Sequence, residues 1–530
     1  MPKLWCLALV SLGFVISSSA KDFDLILRNG KIVDGTGKPA FIGDVAIKKG
    51  RIASIGNVSG TTKKEIDLDG LVIAPGFIDV HTHADELDDQ PGGTNFVRMG
   101  VTTIVVGNCG GSNLRVGDFF KRVEKKKISP NVATLLGHGT VRGQAMGGTF
   151  NRPPTEQELS KMKLLVKQAM KDGAVGLSTG LIYTPGVFAR TEEIIELAKV
   201  VSAYGGIYAT HQRSESEGIV ESLNEIFRIA REANIRAEVS HIKLSGPANW
   251  GKAKKILDVI EAARAEGLQI TQDQYSYTAS STSLGQLVPD EFKDGGKAKL
   301  NERIENPTEK SKMAAEMKLT LQRRQNPDYS YAVIAFYKHD TSLNGLSVVD
   351  AAKKLYHNTS LDSQIETILE IERNGGASAV FHGMNEQDLQ TFMQHTNTMI
   401  ACDSGLRTLD VGVPHPRGYG NNARVLQRYV KETKVLTLED AIRKMSSLPA
   451  HTFELSKRGE IRPGNWADLV VFDLEKVKEN STYNDPHHYS SGFNYVFVNG
   501  VAVVKDDEHT GKRPGKALRH TVVKSERAAK

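Results

Sequence analysis

Phe77-Ile78-Asp79-Val80-His81-Thr82-His83-Ala84-Asp85 follows the apolar run Leu71-Val72-Ile73-Ala74-Pro75-Gly76, and together they read as a buried strand whose last residues emerge at a sheet end. Side chains two apart on a strand point to the same side. His81 and His83 can therefore present two imidazoles to one metal ion. An isolated His-x-His is more often an ordinary strand end, so the stretch gains meaning only if partners recur at equivalent places along the chain.

They do. Apolar strand-like runs ending in Gly or polar residues recur as Val101-Thr-Thr-Ile-Val-Val-Gly-Asn-Cys109, Val132-Ala-Thr-Leu-Leu-Gly-His138, Val175-Gly-Leu-Ser178, Ile207-Tyr-Ala-Thr-His211, Ala237-Glu-Val-Ser-His241, Gln269-Ile-Thr-Gln-Asp273 and Thr398-Met-Ile-Ala-Cys-Asp403. Amphipathic helices fit between them: Thr155 and Glu158 form a capping-box pattern, and Thr191 is expected to cap the run that holds Ile194, Ile195, Leu197, Ala198 and Val201. His211 to His241 spans 30 residues and His241 to Asp273 spans 32, one βα unit each. With the His81 strand there are eight units, which predicts an α/β fold of the (β/α)8 TIM-like barrel type. Barrel enzymes carry their chemistry where the strands end. His81, His83, Cys109, His211, His241 and Asp403 all fall at such ends, and six metal-competent side chains on one rim point to a metal centre.

Outside the barrel the grammar changes. Phe23-Asp-Leu-Ile-Leu-Arg28, Lys31-Ile-Val33, Asp44-Val-Ala-Ile47 and Arg51-Ile-Ala-Ser-Ile55 are short strands, with Asn29-Gly30 and Lys49-Gly50 expected as hairpin turns. Similar strands return in Ala467-Asp-Leu-Val-Val-Phe-Asp473 and Tyr495-Val-Phe-Val-Asn-Gly-Val-Ala-Val-Val504. Neither set makes a core alone, so both chain ends are expected to build one small β-sandwich domain. The barrel rhythm fails between Ser283 and Ser378, where a charged stretch with helical propensity over residues 309–324 looks inserted, either as a lid over the rim or as a plain surface excursion. The domain plan is thus 21–75 with 459–510 for the β-domain and 76–458 for the barrel, interrupted near 284–377.

The N-terminus has signal-peptide grammar: Lys3, a thirteen-residue apolar run at 4–16, and small residues before a cut after Ala20. The run is too short to span a bilayer, so the expectation for 1–20 is export, periplasmic or extracellular, without a stable membrane anchor. The net charge of +6 is matched by the basic tail at 511–530, which holds seven Lys or Arg against one Glu. The body is therefore near neutral, and nucleic acid is not an expected partner. Beyond the signal only Cys109 and Cys402 remain, which is no disulfide framework. If Asp403 faces the metal, its strand neighbour Cys402 faces away, which argues against a bridge between the two cysteines.

His81-Thr-His83, Asn108-Cys109-Gly110, Thr210-His211-Gln-Arg-Ser-Glu215, Ser240-His241-Ile-Lys243, Asp273-Gln-Tyr275-Ser-Tyr277 and Cys402-Asp403-Ser-Gly405 resemble the amidohydrolase superfamily, and within it most closely the D-aminoacylase (N-acyl-D-amino-acid deacylase) group. The similarity covers nearly the whole chain. Cys109 is its specific mark, because hydantoinases and dihydroorotases use a carboxylated lysine there. The resemblance implies that Cys109, His211 and His241 hold one tightly bound zinc ion, while His81, His83 and Asp403 surround a second, weaker position. It implies Asp403 as the catalytic base and then acid, taking a proton from water and returning it to the departing amine. It further implies that Arg417 and Lys243 serve the α-carboxylate of a small-molecule N-acyl amino acid, with Tyr183, Tyr275 and Ser281 supporting the substrate. His138 is left between packing and support of the ligands. Two departures, Ser404 where relatives often have Gly after the Asp, and Ile242 where they are often polar, leave the acyl group and amino acid unread. The competing readings are a hydantoinase-type cyclic-amide hydrolase, a dipeptidase for D-residues with the same catalytic set, and a non-enzymatic scaffold.

Overall fold

A computed structural model describes residues 22–521, so the expected signal segment lies outside the described residues. The eight stretches form one parallel sheet in chain order: β1 (Phe77–Asp79), β2 (Val101–Val106), β3 (Asn131–Gly137), β4 (Gly176–Gly180), β5 (Ile207–His211), β6 (Arg236–Val239), β7 (Ile270–Gln274) and β8 (Thr398–Ile400). Neighbours pair in register, as in Gly176 with Ile207 and Asp273 with Met399. The ring closes between its first and last strands just past β1 and β8. There Thr82–His83 pairs in parallel with Ser404–Gly405, and Asp403 N donates to His81 O at 3.0 Å. Lower on the same seam the buried Asp79 carboxylate accepts from Cys402 N at 3.0 Å and His81 N at 3.1 Å.

Strand residues divide between two cores because successive side chains alternate. Ile78, Val80, Val105, Leu135, Ile207, Ala209 and Met399 share a cluster with Ala450, Phe453 and Leu455, filling the barrel lumen. Phe77, Ile104, Val106, Leu136, Leu177, Tyr208 and Ile270 belong to the larger cluster formed with the surrounding helices. The Thr155–Glu158 capping box is present at the start of helix Glu156–Asp172. Thr191 does not cap its helix: Arg190 is the N-cap residue, and the Thr191 hydroxyl instead donates to Glu225 Oε1 at 2.8 Å.

Strands from both chain ends make one nine-stranded sheet, with Leu469–Phe472 antiparallel to Val72–Pro75. Its far strand Arg51–Gly56 bonds back to the segment before Leu469, through Ile52 N to Asn465 O (2.9 Å) and Gly464 N to Ile52 O (2.8 Å), so the sheet curls onto itself around Leu27, Ile47, Ile73, Leu469 and Phe497. Lys49-Gly50 is the hairpin turn between Phe41–Lys48 and Arg51–Gly56, with φ of 52° and 73°. Asn29-Gly30 is not a turn. It lies inside the single strand Leu25–Ile32, where the register shifts between Leu27 and Gly30 and Asn29 takes φ 54°, the mark of a bulge.

The interruption of the barrel rhythm is a subdomain with its own core. Ser280–Ser283, Ala332–Phe336 and Ser378–Phe381 form a three-stranded antiparallel sheet, and Leu284, Met313, Met317, Ile334 and Ile368 pack beneath it. The C-terminal segment is also built in as far as Thr521. Gly515 N donates to Ile128 O and Leu518 N to Val132 O, at the N-terminal end of β3, and Lys516 Nζ lies 4.1 Å from the centre of the Trp466 ring. No helix of the described residues is long and apolar enough to cross a membrane.

Candidate metal centre

Three rim residues, Cys109, His241 and Asp403, adopt positive φ (52°, 38° and 49°), a conformation that costs energy outside glycine and persists only where neighbours enforce it. Each is held by a specific contact. His241 N donates to Asp273 Oδ1 (2.9 Å), and Asp403 N to His81 O (3.0 Å). After Cys109, Gly110 N donates to the buried Ser178 hydroxyl at 3.1 Å. Glycines make room for the Cys109 turn: a Cβ at Gly180 would lie 2.1 Å from Cys109 O, and one at Gly137 2.4 Å from Gly110 O.

The result is a cluster around one sulfur. Cys109 Sγ lies 3.3 Å from His81 Nε2, 3.7 Å from His241 Nε2 and 3.9 Å from His211 Nδ1. His83 Nε2 and His81 Nε2 lie 3.1 and 3.5 Å from Asp403 Oδ1. Three overlapping sets, Cys109 with His211 and His241, His81 with His83 and Cys109, and His81 with His241 and Asp403, each have their ligand atoms within 4.8 Å of one another. Burial works against a charged thiolate at Cys109, but the His81, His211 and His241 imidazoles outweigh it and hold the thiol well below its ordinary pKa. A thiolate among imidazoles is a donor set suited to zinc and poorly suited to magnesium or calcium. Two of these imidazoles are engaged from behind, His81 Nδ1 lying 3.0 Å from Asp273 Oδ2 and His241 Nδ1 2.9 Å from Glu215 Oε1, while the buried His211 Nε2 meets no partner.

Asp403 Oδ2 meets Arg417 Nη2 at 2.9 Å. Burial disfavours charge on Asp403, yet Arg417 and then His81 and His83 keep its carboxyl well below the usual range, so it is ionised at neutral pH. Arg417 also donates to Ser281 O (3.3 Å) and stacks 4.5 Å from the Tyr275 ring, while its buried Nε and Nη1 meet no partner. Lys243 Nζ lies on the same ring at 5.7 Å, but it is ion-paired with Glu215 rather than free. The Tyr183 hydroxyl accepts from Thr282 Oγ1 at 3.0 Å, and its ring lies 5.0 Å from that of His211. Two cavities, of 710 and 390 Å³, meet at Tyr183, Ser281, Thr282 and Asp403. His138 stands apart from the cluster, bonded to Glu193 at 2.8 Å, and Cys402 is free and buried beside Asp79.

Sequence reasoning assigned no part to Asp273 or Glu215, although both stand in motifs it singled out. Their only signal was position, a carboxylate at a strand end or four residues past one.

Comparison with known proteins agrees with this geometry. Residues 64–504 match the model of the Amidohydrolase family. The D-aminoacylase of Alcaligenes xylosoxydans xylosoxydans is 34% identical over 529 residues, covering 95% of this chain and 99% of the relative. The N-acyl-D-glutamate deacylase of the same organism is 32% identical, covering 94% and 96%. The crystal structure of N-acyl-D-glutamate deacylase from Bordetella bronchiseptica, complexed with zinc and a phosphonate that mimics the tetrahedral intermediate, superposes with a TM-score of 0.80 at 31% identity, covering 94% of this chain and 99% of that one. From the barrel, the cysteine-centred cluster and these matches it follows that the chain belongs to the amidohydrolase family, in its D-aminoacylase group.

Proposed function

We propose that the protein is a zinc-dependent hydrolase that removes the acyl group from N-acyl-D-amino acids. One observation carries the reading: a guanidinium with two uncommitted buried nitrogens, Arg417, is bonded to the same carboxylate, Asp403, that faces the histidines of the metal cluster. A cation for the substrate's α-carboxylate and a base for the reaction therefore stand in direct contact. Cys109, His211 and His241 would hold the tight zinc ion, and His81 and His83, both within 3.5 Å of Asp403 Oδ1, would border a second position with it. A bound zinc ion supplies a Lewis acid that polarises a carbonyl and lowers the pKa of water from about 15.7 toward about 7.

The chain's own residues do the rest. Asp403, ionised, takes the proton of the attacking water and returns it to the amide nitrogen, which leaves only once protonated. Arg417, and Lys243 once it is drawn from Glu215, fix the carboxylate. The buried Tyr275 ring supports both, 4.5 Å from the Arg417 guanidinium and 5.7 Å from Lys243 Nζ. Tyr183 and Ser281 line both cavities where they meet.

A second substrate class fits the same site. The cavity wall beside His83 carries Asp85, Glu86, Asp88 and Asp89 against Arg122, which favours an acyl group with an ammonium, as in an aminoacyl-D-amino acid. Export after removal of residues 1–20 belongs to the same proposal.

The test is metal analysis combined with a panel of N-acetyl-D- and N-acetyl-L-amino acids and dipeptides ending in a D-residue. Hydrolysis of D-substrates with zinc bound is expected. Cleavage of L-substrates alone would overturn the stereochemical reading.

A further inference from the structure

We infer that Glu215 is a positioning residue that links the carboxylate end of the substrate to a metal-ligating imidazole; the identity of that carboxylate rests on the deacylase reading above. Glu215 stands four residues past His211, and its carbonyl accepts from Ser245 N at 2.7 Å, so the loops after β5 and β6 hold it jointly. Its side chain, 13% exposed, lines the 390 Å³ cavity. One oxygen, Oε1, serves two donors: His241 Nδ1 at 2.9 Å and the ammonium of Lys243 in a short ion pair. Lys243 Nζ is in turn 2.8 Å from His241 Nδ1.

The three groups cannot all be satisfied in any order. An ammonium only donates, whereas Nδ1 either donates to the carboxylate or accepts from the lysine. The carboxylate oxygen can accept from both, and both donors are within hydrogen-bond reach of it. Nδ1 then carries the proton. Nε2, the nitrogen facing Cys109 Sγ at 3.7 Å, is left with a free lone pair for a metal.

Lys243 is 2% exposed, and Glu215 is the anion it is paired with. It shares the Tyr275 ring with Arg417, so a carboxylate bound by Arg417 at that ring competes with Glu215 for the lysine. When Lys243 turns to the substrate, Oε1 is left to His241 alone. The hydrogen bond behind the ligand nitrogen strengthens, and filling of the substrate end is felt at the metal ligand through a single side chain.

The test compares wild type, Glu215→Gln and Glu215→Asp, loaded with Zn2+ for kinetics and titrated with Co2+ for affinity. Glutamine keeps the shape and one acceptor but releases Lys243 from an anion. KM for N-acetyl-D-leucine is expected to fall several-fold in E215Q, while kcat and Co2+ affinity each drop by about 10- to 100-fold, the usual cost of weakening a carboxylate behind a ligating imidazole. E215D should recover much of both. A merely structural role moves KM and kcat together for the worse, so KM rising as kcat falls overturns the inference, as does unchanged Co2+ affinity. The absorption of thiolate bound to Co2+ reports whether the Cys109 site is assembled, and if E215Q lacks it the comparison rests on E215D. The Co2+ arm needs no substrate: if the wild type cleaves no N-acyl-D-amino acid, the proposed function falls while the affinities still decide the role of Glu215.

Discussion

Arg417→Ala separates substrate recognition from support of the base. Arg417 Nη2 is occupied by Asp403 and Ser281, while Nε and Nη1 are buried without partners. Nε–H and Nη1 point to opposite sides of the guanidinium, so an α-carboxylate meeting one of them gains one charge-assisted hydrogen bond, about 1.5–3 kcal/mol. At about 1.36 kcal/mol per tenfold, kcat/KM for N-acetyl-D-leucine should fall by about 10- to 100-fold in the variant. The substitution also takes away the cation that does most to offset burial at Asp403, letting that carboxyl drift upward and blunting the base. N-acetyl-D-leucinamide, which has no carboxylate, isolates this second effect. The assay is kcat/KM for acid and amide with wild type and R417A at matched zinc content. The preference of the wild type for the acid should collapse in the variant. If acid and amide lose rate equally, Arg417 serves only Asp403, and the carboxylate must be recognised elsewhere.

Four further outcomes are expected. Asp403→Asn should keep zinc at the Cys109 position, measured by metal analysis, while kcat falls by about 10²- to 10⁴-fold; undiminished turnover would remove Asp403 from the mechanism. Gly180→Ala sets a Cβ 2.1 Å from Cys109 O, so denaturation should show a loss of about 1–3 kcal/mol together with reduced zinc content, and a variant with full metal and stability would contradict the close approach. Burial raises Asp79 to about 7, so this group's contribution to metal-free stability is complete below the ordinary carboxylate value near 4 and is lost as pH rises through about 7. Urea titrations with chelator should find that decline in the wild type and a flatter profile in Asp79→Asn; parallel profiles would exclude Asp79 as its source. Mass spectrometry of the exported protein should find Lys21 as the first residue, and retention of residues 1–20 would refute the signal reading.

The barrel could be read from sequence because eight apolar runs end in polar residues at βα-unit spacing, a local and repeated signal. Its closure could not, because the seam is made by one carboxylate, Asp79, and by two-residue pairings that have no sequence signature. Asn29-Gly30 misled for a physical reason: a dipeptide that tolerates positive φ serves a bulge as well as a hairpin turn. The core of the inserted subdomain was hidden because Met313, Met317 and Leu321 are sparse in the highly charged helix Pro307–Arg324. In the site, the donor types were visible at the strand ends. The carboxylates behind the imidazoles were not, since an acidic residue near a strand end has many uses and only the 2.9–3.0 Å contacts of Glu215 and Asp273 single them out.

The pairing of Val72–Pro75 with Leu469–Phe472 joins strands separated by nearly 400 residues of intervening chain. At about 5–20 residues per second, a ribosome makes that stretch in roughly 20–80 s. Throughout that interval the N-terminal strands can pair with one another, but the outer edge of Val72–Pro75 has no mate, and the last contact on β3 forms only when Leu518 arrives. An edge left open that long is a template for pairing with another chain, so the β-domain rather than the barrel is where a nascent or truncated chain would associate.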